Sequence, residues 1–233
     1  MSRIEVLPGE VQLWCASLDV GESDIDHLSG MLSAEELQRA QRFRVENAQK
    51  RFIAARAALR ILLGRFSDTG PREVAFAFGA NGKPRLAGGG PCFNASDSGD
   101  VVAIGLASEE LGVDIEVVRP MARRIRLARR ICTARELEQF EAQPAAEREI
   151  EILRLWTCKE AALKAVGTGL RGGLRNVEFE LPAHDQPEVR KLLDETGEWT
   201  LLPGDLGPDI ICSVVVRGTG WRVVNRKLNL HST

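Results

Sequence analysis

The sequence predicts an α+β protein built as a pseudo-dimer of two similar halves, 1–108 and 109–233, with a ligand cleft between them. Three observations predict it. The chain has 233 residues, 44% of them hydrophobic, enough for one large or two small packed cores. Extended apolar stretches and helical stretches recur in the same order in each half. The sequence also repeats itself: MLSAEEL at Met31–Leu37 resembles RICTAREL at Arg130–Leu137, and RFIAARAALR at Arg51–Arg60 resembles LWTCKEAALK at Leu155–Lys164. The offset is 100 from Leu37 to Leu137 and 104 from Phe52 to Trp156, so the second copy carries four extra residues between its helices. Downstream, Val74–Phe78 parallels Val177–Leu181 at an offset of 103.

The elements follow in order. A strand is expected at Val11–Leu18, then helices at Ala34–Phe43 and Ala48–Leu63, then strands at Val74–Phe78 and Val101–Ala107. The second half opens with a strand at Gly112–Val117. Helical segments Arg123–Phe140 and Ala146–Val166 follow, then strands at Val177–Leu181, Trp199–Leu202 and Ile210–Val216. Ser33 with Glu36, and Thr133 with Glu136, match the capping box S/T-x-x-E and fix two helix starts. Gly167 is placed to cap the second long helix, and Gly70-Pro71 and Gly88–Pro91 punctuate the first half.

Composition excludes several classes. A net charge of −2 argues against a general nucleic-acid binder. No apolar run approaches the ~20 residues that cross a bilayer, and the first residues lack a signal-peptide core, so a cytoplasmic, non-membrane protein is expected. Five scattered cysteines without a CxxC pair fit reduced structural thiols. One local bias stands out. Arg119–Arg130 (RPMARRIRLARR) holds six arginines, which make either a solvated helix face or a docking patch for an acidic partner.

The chemistry concentrates in two segments, GVDIE at Gly112–Glu116 and WTCKEAALK at Trp156–Lys164. Period-two geometry aims Asp114 and Glu116 at one face of a strand. Glu160 and Lys164, four apart, share one face of a helix. Three carboxylates beside a lysine suit a hard divalent cation carrying a phosphate-bearing substrate.

Together these segments resemble the 4'-phosphopantetheinyl transferases, in particular the long single-chain type that activates peptide and polyketide synthetases such as surfactin synthetase. The family pattern is (V/I)G(V/I)D-x-E, roughly forty residues, then (F/W)-x-x-K-E-(A/S)-x-x-K. Gly82–Leu86 (GKPRL) and Phe93–Gly99 (FNASDSG) resemble two further family segments, so the likeness spans about Trp14 to Glu180. It implies an α+β pseudo-dimer with coenzyme A between the halves. It also implies transfer of 4'-phosphopantetheine to a serine of an acyl- or peptidyl-carrier protein, with adenosine 3',5'-bisphosphate released. A holo-[acyl-carrier-protein] synthase type of activity on Mg2+, with Mn2+ as an alternative, is the corresponding expectation, in a monomer.

The resemblance assigns Asp114, Glu116 and Glu160 to the metal, with Glu160 either a direct ligand or the acceptor of the attacking hydroxyl's proton. Lys164 is expected to neutralise charge near the diphosphate, and Lys83 and Ser96 to contact phosphate. Arg51 and Arg56 are candidates for the 3'-phosphate through their bidentate forks, with Arg42 and Arg44 behind them. Asp97 departs from the family, whose N-x-S-H-S-G segment has a coenzyme A-binding histidine there. An ionised carboxylate cannot donate a hydrogen bond and adds negative charge near phosphates. Asp97 is therefore expected beside those phosphates and close to Asp114 and Glu116. The alternative reading is a non-catalytic coenzyme A or carrier-protein binding module impaired by Asp97.

Overall fold

A computed structural model of the protein describes residues 4–79, 81–119, 124–169, 173–180, 188–192 and 197–231. The first half runs β1 (Glu10–Ser17), α1 (Glu22–Ser29), α2 (Ala34–Ala40), α3 (Glu46–Ser67), β2 (Phe76–Phe78), β3 (Pro84–Leu86), β4 (Cys92–Ser98) and β5 (Val101–Ala107). The second continues with β6 (Leu111–Val117), α4 (Arg124–Ile131), α5 (Ala134–Ala142), α6 (Arg148–Val166), β7 (Val177–Glu180), β8 (Glu188–Leu192), β9 (Trp199–Pro203), β10 (Ile210–Arg217) and β11 (Arg222–Lys227). The fold is α+β, as expected.

Two sheets carry the architecture, ordered β11-β1-β5-β4 and β6-β10-β9. In each, the opening strand of the half pairs antiparallel with a later strand, Trp14 opposite Ile104 and Asp114 opposite Ser213. The sheets pack face to face through Val11, Leu13, Ala103, Val113, Ile115 and Val214, all almost fully buried. Gly105 permits this approach, since a Cβ there would lie 2.6 Å from Val113 Cγ2. Each long helix, α3 or α6, has a core of its own beneath it.

Both capping boxes form, and each does more than start a helix. Ser33 Oγ accepts from the Glu36 amide, and the Glu36 carboxylate accepts from the Ser33 amide. The same carboxylate then binds Arg60 Nε at 2.5 Å and Arg56 Nε at 2.6 Å. In the second half, Glu136 closes the Thr133 box and takes Lys159 Nζ at 2.7 Å, with both side chains fully buried. Each box glutamate thus bolts a short helix to the long one.

Several sequence expectations need correction. The expected helix Arg123–Phe140 is two helices, because the Thr133 box starts a new one; residue 123 lies outside the described residues. Strand β4 is masked in the sequence by its polar run, and α1, β8 and β11 carry no clear periodicity. The end of the chain returns to the first sheet. β11 crosses back and pairs parallel with β1, after which Leu228 and Leu230 bury in the first core. The first sheet is therefore completed by the end of the chain. Among the described residues no helix is long and apolar enough to cross a membrane.

Candidate active site

Strand β6 and helix α6 build the site. Gly112 is what lets them touch, since a Cβ at this position would lie 2.0 Å from the Ala161 carbonyl oxygen and 2.4 Å from the Ala165 nitrogen. With that glycine the helix lies directly on the strand and sets Lys164 against Asp114. Lys164 Nζ donates to Asp114 Oδ1 at 2.6 Å, to Ser96 Oγ at 2.9 Å and to the Val113 carbonyl at 3.2 Å.

The other carboxylate oxygens are left open. Asp114 Oδ2 and Glu160 Oε1 are buried and have no hydrogen-bond partner. Burial pushes the Asp114 carboxyl above its ordinary range; Lys164 and Ser96 pull against that shift, and Glu116 adds to it. Glu160 is pushed up in the same way, first by burial, then by the Asp114 charge, with a smaller part from Glu116. The three acids feel one another, so this is one electrostatic site. Among the described residues, no group of three or more His, Cys, Asp or Glu side chains is arranged to hold a metal ion by itself. The chain instead offers two orphaned hard oxygens beside a third carboxylate. That set fits a cation such as Mg2+, which takes the rest of its shell from phosphate and water.

Strand β4 lies alongside. Ser96 Oγ donates to Asp114 Oδ1 and Ser98 Oγ to Glu116 Oε2, each at 2.8 Å. Alternation along the strand then turns Asp97 the opposite way. Asp97 is exposed and lines a cavity of about 650 Å3 with Arg39, Arg51, Arg56, Arg119 and Ser98. It is thus turned from Asp114 and Glu116, contrary to expectation. Arg51 holds Asp100, with its Nε 2.7 Å from Asp100 Oδ1.

Two expected phosphate contacts have other commitments. Lys83 Nζ donates to Glu110 Oε2 at 2.6 Å, to the Ala165 carbonyl at 2.7 Å and to the Leu111 carbonyl at 3.0 Å. Its three protons are used in fastening the end of α6 to the start of β6, in a separate crevice with Arg85 and Trp199. Arg56 reaches the cavity wall but is paired with Glu36 and stacked over Phe76. Arg60, which the repeat aligns with Lys164, is 3% exposed and bound to Glu36 and the Pro71 and Val74 carbonyls, at the back of a crevice it shares with Arg39 and Arg56.

Three residues escaped the sequence reading. Arg39 gives no periodic signal. Arg119 lay within the basic stretch without being separable from it. Lys159 is fully buried; besides Glu136 it donates to the Val177 and Leu174 carbonyls at 2.6 and 2.8 Å, and burial depresses its ammonium pKa. The signal for Lys159 was its place beside Glu160 in a helix whose neighbouring positions are apolar.

Comparison with known proteins gives the family. Residues 110–215 match the family model of the 4'-phosphopantetheinyl transferase superfamily. The chain is 35% identical over 227 residues to the 4'-phosphopantetheinyl transferase HetI of Nostoc sp., covering 94% of this chain and 93% of that protein. It is 36% identical over 196 residues to a putative 4'-phosphopantetheinyl transferase of Synechocystis sp., covering 82% and 78%. A third relative, the 4'-phosphopantetheinyl transferase psf-1 of Bacillus pumilus, is 29% identical over 168 residues, 71% of each chain. The matched region contains β6 and α6, the elements that carry the three acids and Lys164, and the chain belongs to the 4'-phosphopantetheinyl transferase superfamily.

Proposed function

We propose that the protein transfers 4'-phosphopantetheine from coenzyme A to a serine hydroxyl of an acyl- or peptidyl-carrier protein. The observation that carries this reading is the pair of buried, unpartnered oxygens, Asp114 Oδ2 and Glu160 Oε1, beside Glu116 and Lys164. A pure binding module has no use for two buried acids left open, and nothing in the site favours the non-catalytic alternative.

Asp114, Glu116 and Glu160 would hold a divalent cation, Mg2+ or Mn2+. When bound, it supplies charge neutralisation and orientation for the diphosphate. The carrier serine oxygen forms a bond to the β-phosphorus as the bond from that phosphorus to the bridging oxygen breaks. Adenosine 3',5'-bisphosphate leaves with the bond's electron pair. Lys164, its protons committed to Asp114, Ser96 and the Val113 carbonyl, holds one Asp114 oxygen and adds positive charge beside the place where the diphosphate would bind. Glu160, whose proton affinity is raised by burial and by Asp114, either takes the serine proton or, if it would complete the metal site, leaves that proton to a water molecule. Arg39, Arg51 and Arg119 give the 650 Å3 cavity its cationic wall, which suits the 3'-phosphate end of coenzyme A.

The finer reading is a long single-chain enzyme of the surfactin-synthetase-activating type, monomeric and cytoplasmic, with holo-[acyl-carrier-protein] synthase activity. The near full-length alignment with the transferase HetI supports the single-chain length alone. Exposed Arg126, Arg129 and Arg130 on α4 support docking of an acidic carrier. The test is the mass of an apo-carrier protein incubated with the enzyme, coenzyme A and Mg2+. The reading expects a gain of one phosphopantetheine and an equal amount of adenosine 3',5'-bisphosphate. Binding of coenzyme A without either product would return the protein to the binding-module class.

A further inference from the structure

The seam between the sheets contains a construction that the reaction itself does not call for. Strand β6 pairs with β10 along one edge only, so the amides of Val113, Ile115 and Val117 point away from that partner. Buried amides need acceptors. The backbone of β4 does not supply them, since β4 is hydrogen-bonded to β5 alone. Its side chains do. Asn94 Oδ1 accepts from the Val113 amide at 2.9 Å, Ser98 Oγ from Val117 at 3.2 Å, and Ser96 Oγ from Ile115 at the longer 3.4 Å. Each pair is separated by 19 residues, so the three contacts run in parallel register with the period of a strand.

Ser96 and Ser98 each spend their single proton on a carboxylate. Ser96 Oγ donates to Asp114 Oδ1 and Ser98 Oγ to Glu116 Oε2. Each hydroxyl therefore grips β6 twice, by a backbone amide and by the neighbouring acid. For Asp114 this fixes one oxygen and leaves the other open.

We infer that Ser98 is a positioning residue for Glu116, and that the Asn94–Ser96–Ser98 ladder fixes the register of the acid-bearing strand across the junction of the two sheets. Ser98 acts on the site through Glu116, to which its hydroxyl is bound, from the edge of the cavity that Asp97 also lines. Without its hydroxyl, Glu116 is free to rotate and the Val117 amide loses its acceptor. The inference rests on the reading of Asp114, Glu116 and Glu160 as cation ligands.

The test is Mn2+ binding to the full chain with coenzyme A present, followed by electron paramagnetic resonance, together with the Mg2+ dependence of transfer. Ser98→Ala is expected to weaken Mn2+ binding about 5–10-fold and to raise half-saturating Mg2+ equally. With Mg2+ and coenzyme A both saturating, its kcat should fall by less than its Mg2+ affinity does. Ser98→Thr keeps the hydroxyl and should restore both. Ser98→Cys, close in size but a weak donor, should follow alanine even if the alanine protein folds poorly. Asp114→Asn is the control for the underlying reading. If Asp114→Asn loses Mn2+ while both Ser98→Ala and Ser98→Cys bind it like the wild type, the positioning role is overturned and the metal site stands. If Asp114→Asn also binds Mn2+ normally, both fall.

Discussion

At the scale of single residues, the acids of the site were legible and the cations largely were not. Asp114 and Glu116 declare a shared face by their spacing of two, and Lys164 declares its place by lying four residues after Glu160. A lysine or arginine reveals nothing of its acceptor when that acceptor lies 20 or 27 residues away, as Glu36 does from Arg56 and Glu110 from Lys83. Asp97 lies furthest from its sequence expectation, because strand alternation turns it from the acids toward the arginines. It adds negative charge where phosphate is expected to bind. Asp97→His is accordingly expected to raise kcat/KM, chiefly through a lower KM for coenzyme A. A tenfold gain would correspond to about 1.4 kcal/mol. Steady-state kinetics with coenzyme A varied would check this; a fall in kcat/KM would mean that Asp97 serves the site directly.

At the scale of elements, the two capping boxes were readable in full, because a box is a local device of four residues. What each glutamate reaches beyond its own helix was not readable. Strand β4 was hidden for a related reason: its Asn and Ser side chains are acceptors for another strand, and in sequence that resembles a polar loop. Glu36 offers a test of the bolt. Burial opposes its ionisation, but hydrogen bonds from Arg60, the Ser33 amide and Arg56 outweigh burial and hold its pKa below the ordinary 4.5. A depressed carboxylate contributes stability above its unfolded value, and that stability is lost as pH falls through the lower folded value. Glu36→Gln should therefore destabilise the protein by about 3 kcal/mol at pH 7, since it leaves the buried Arg60 without its counter-charge. In urea melts across pH, the gap to wild type should narrow steadily below pH 4.5. A gap constant with pH would show that charge at Glu36 is not what binds α2 to α3.

At the scale of the whole molecule, the α+β class and the internal repeat were legible, while the closure of the chain was not. No local pattern marks β11, which pairs with a strand some two hundred residues earlier. Its consequence is that the first half depends on the last residues. Removing residues 221–233 should cost about 3–6 kcal/mol, at about 1.5–3 kcal/mol for each of Leu228 and Leu230, before any loss of strand pairing. Thermal unfolding would show this as a large drop in Tm, and an unchanged Tm would mean that the first sheet stands without β11.

Asp114, Glu116, Glu160 and Lys164 are proposed to act as one phosphopantetheine-transfer site at the junction of β6 and α6. The most direct test is single-turnover transfer to an apo-carrier protein, read by mass, in wild type and Asp114→Ala with coenzyme A and Mg2+ saturating. Losing this acid should slow transfer about 10²–10³-fold, or about 3–4 kcal/mol by analogy with removal of one transition-state-stabilising donor, while the protein stays folded by circular dichroism. A folded Asp114→Ala protein that modifies the carrier at the wild-type rate would contradict the account.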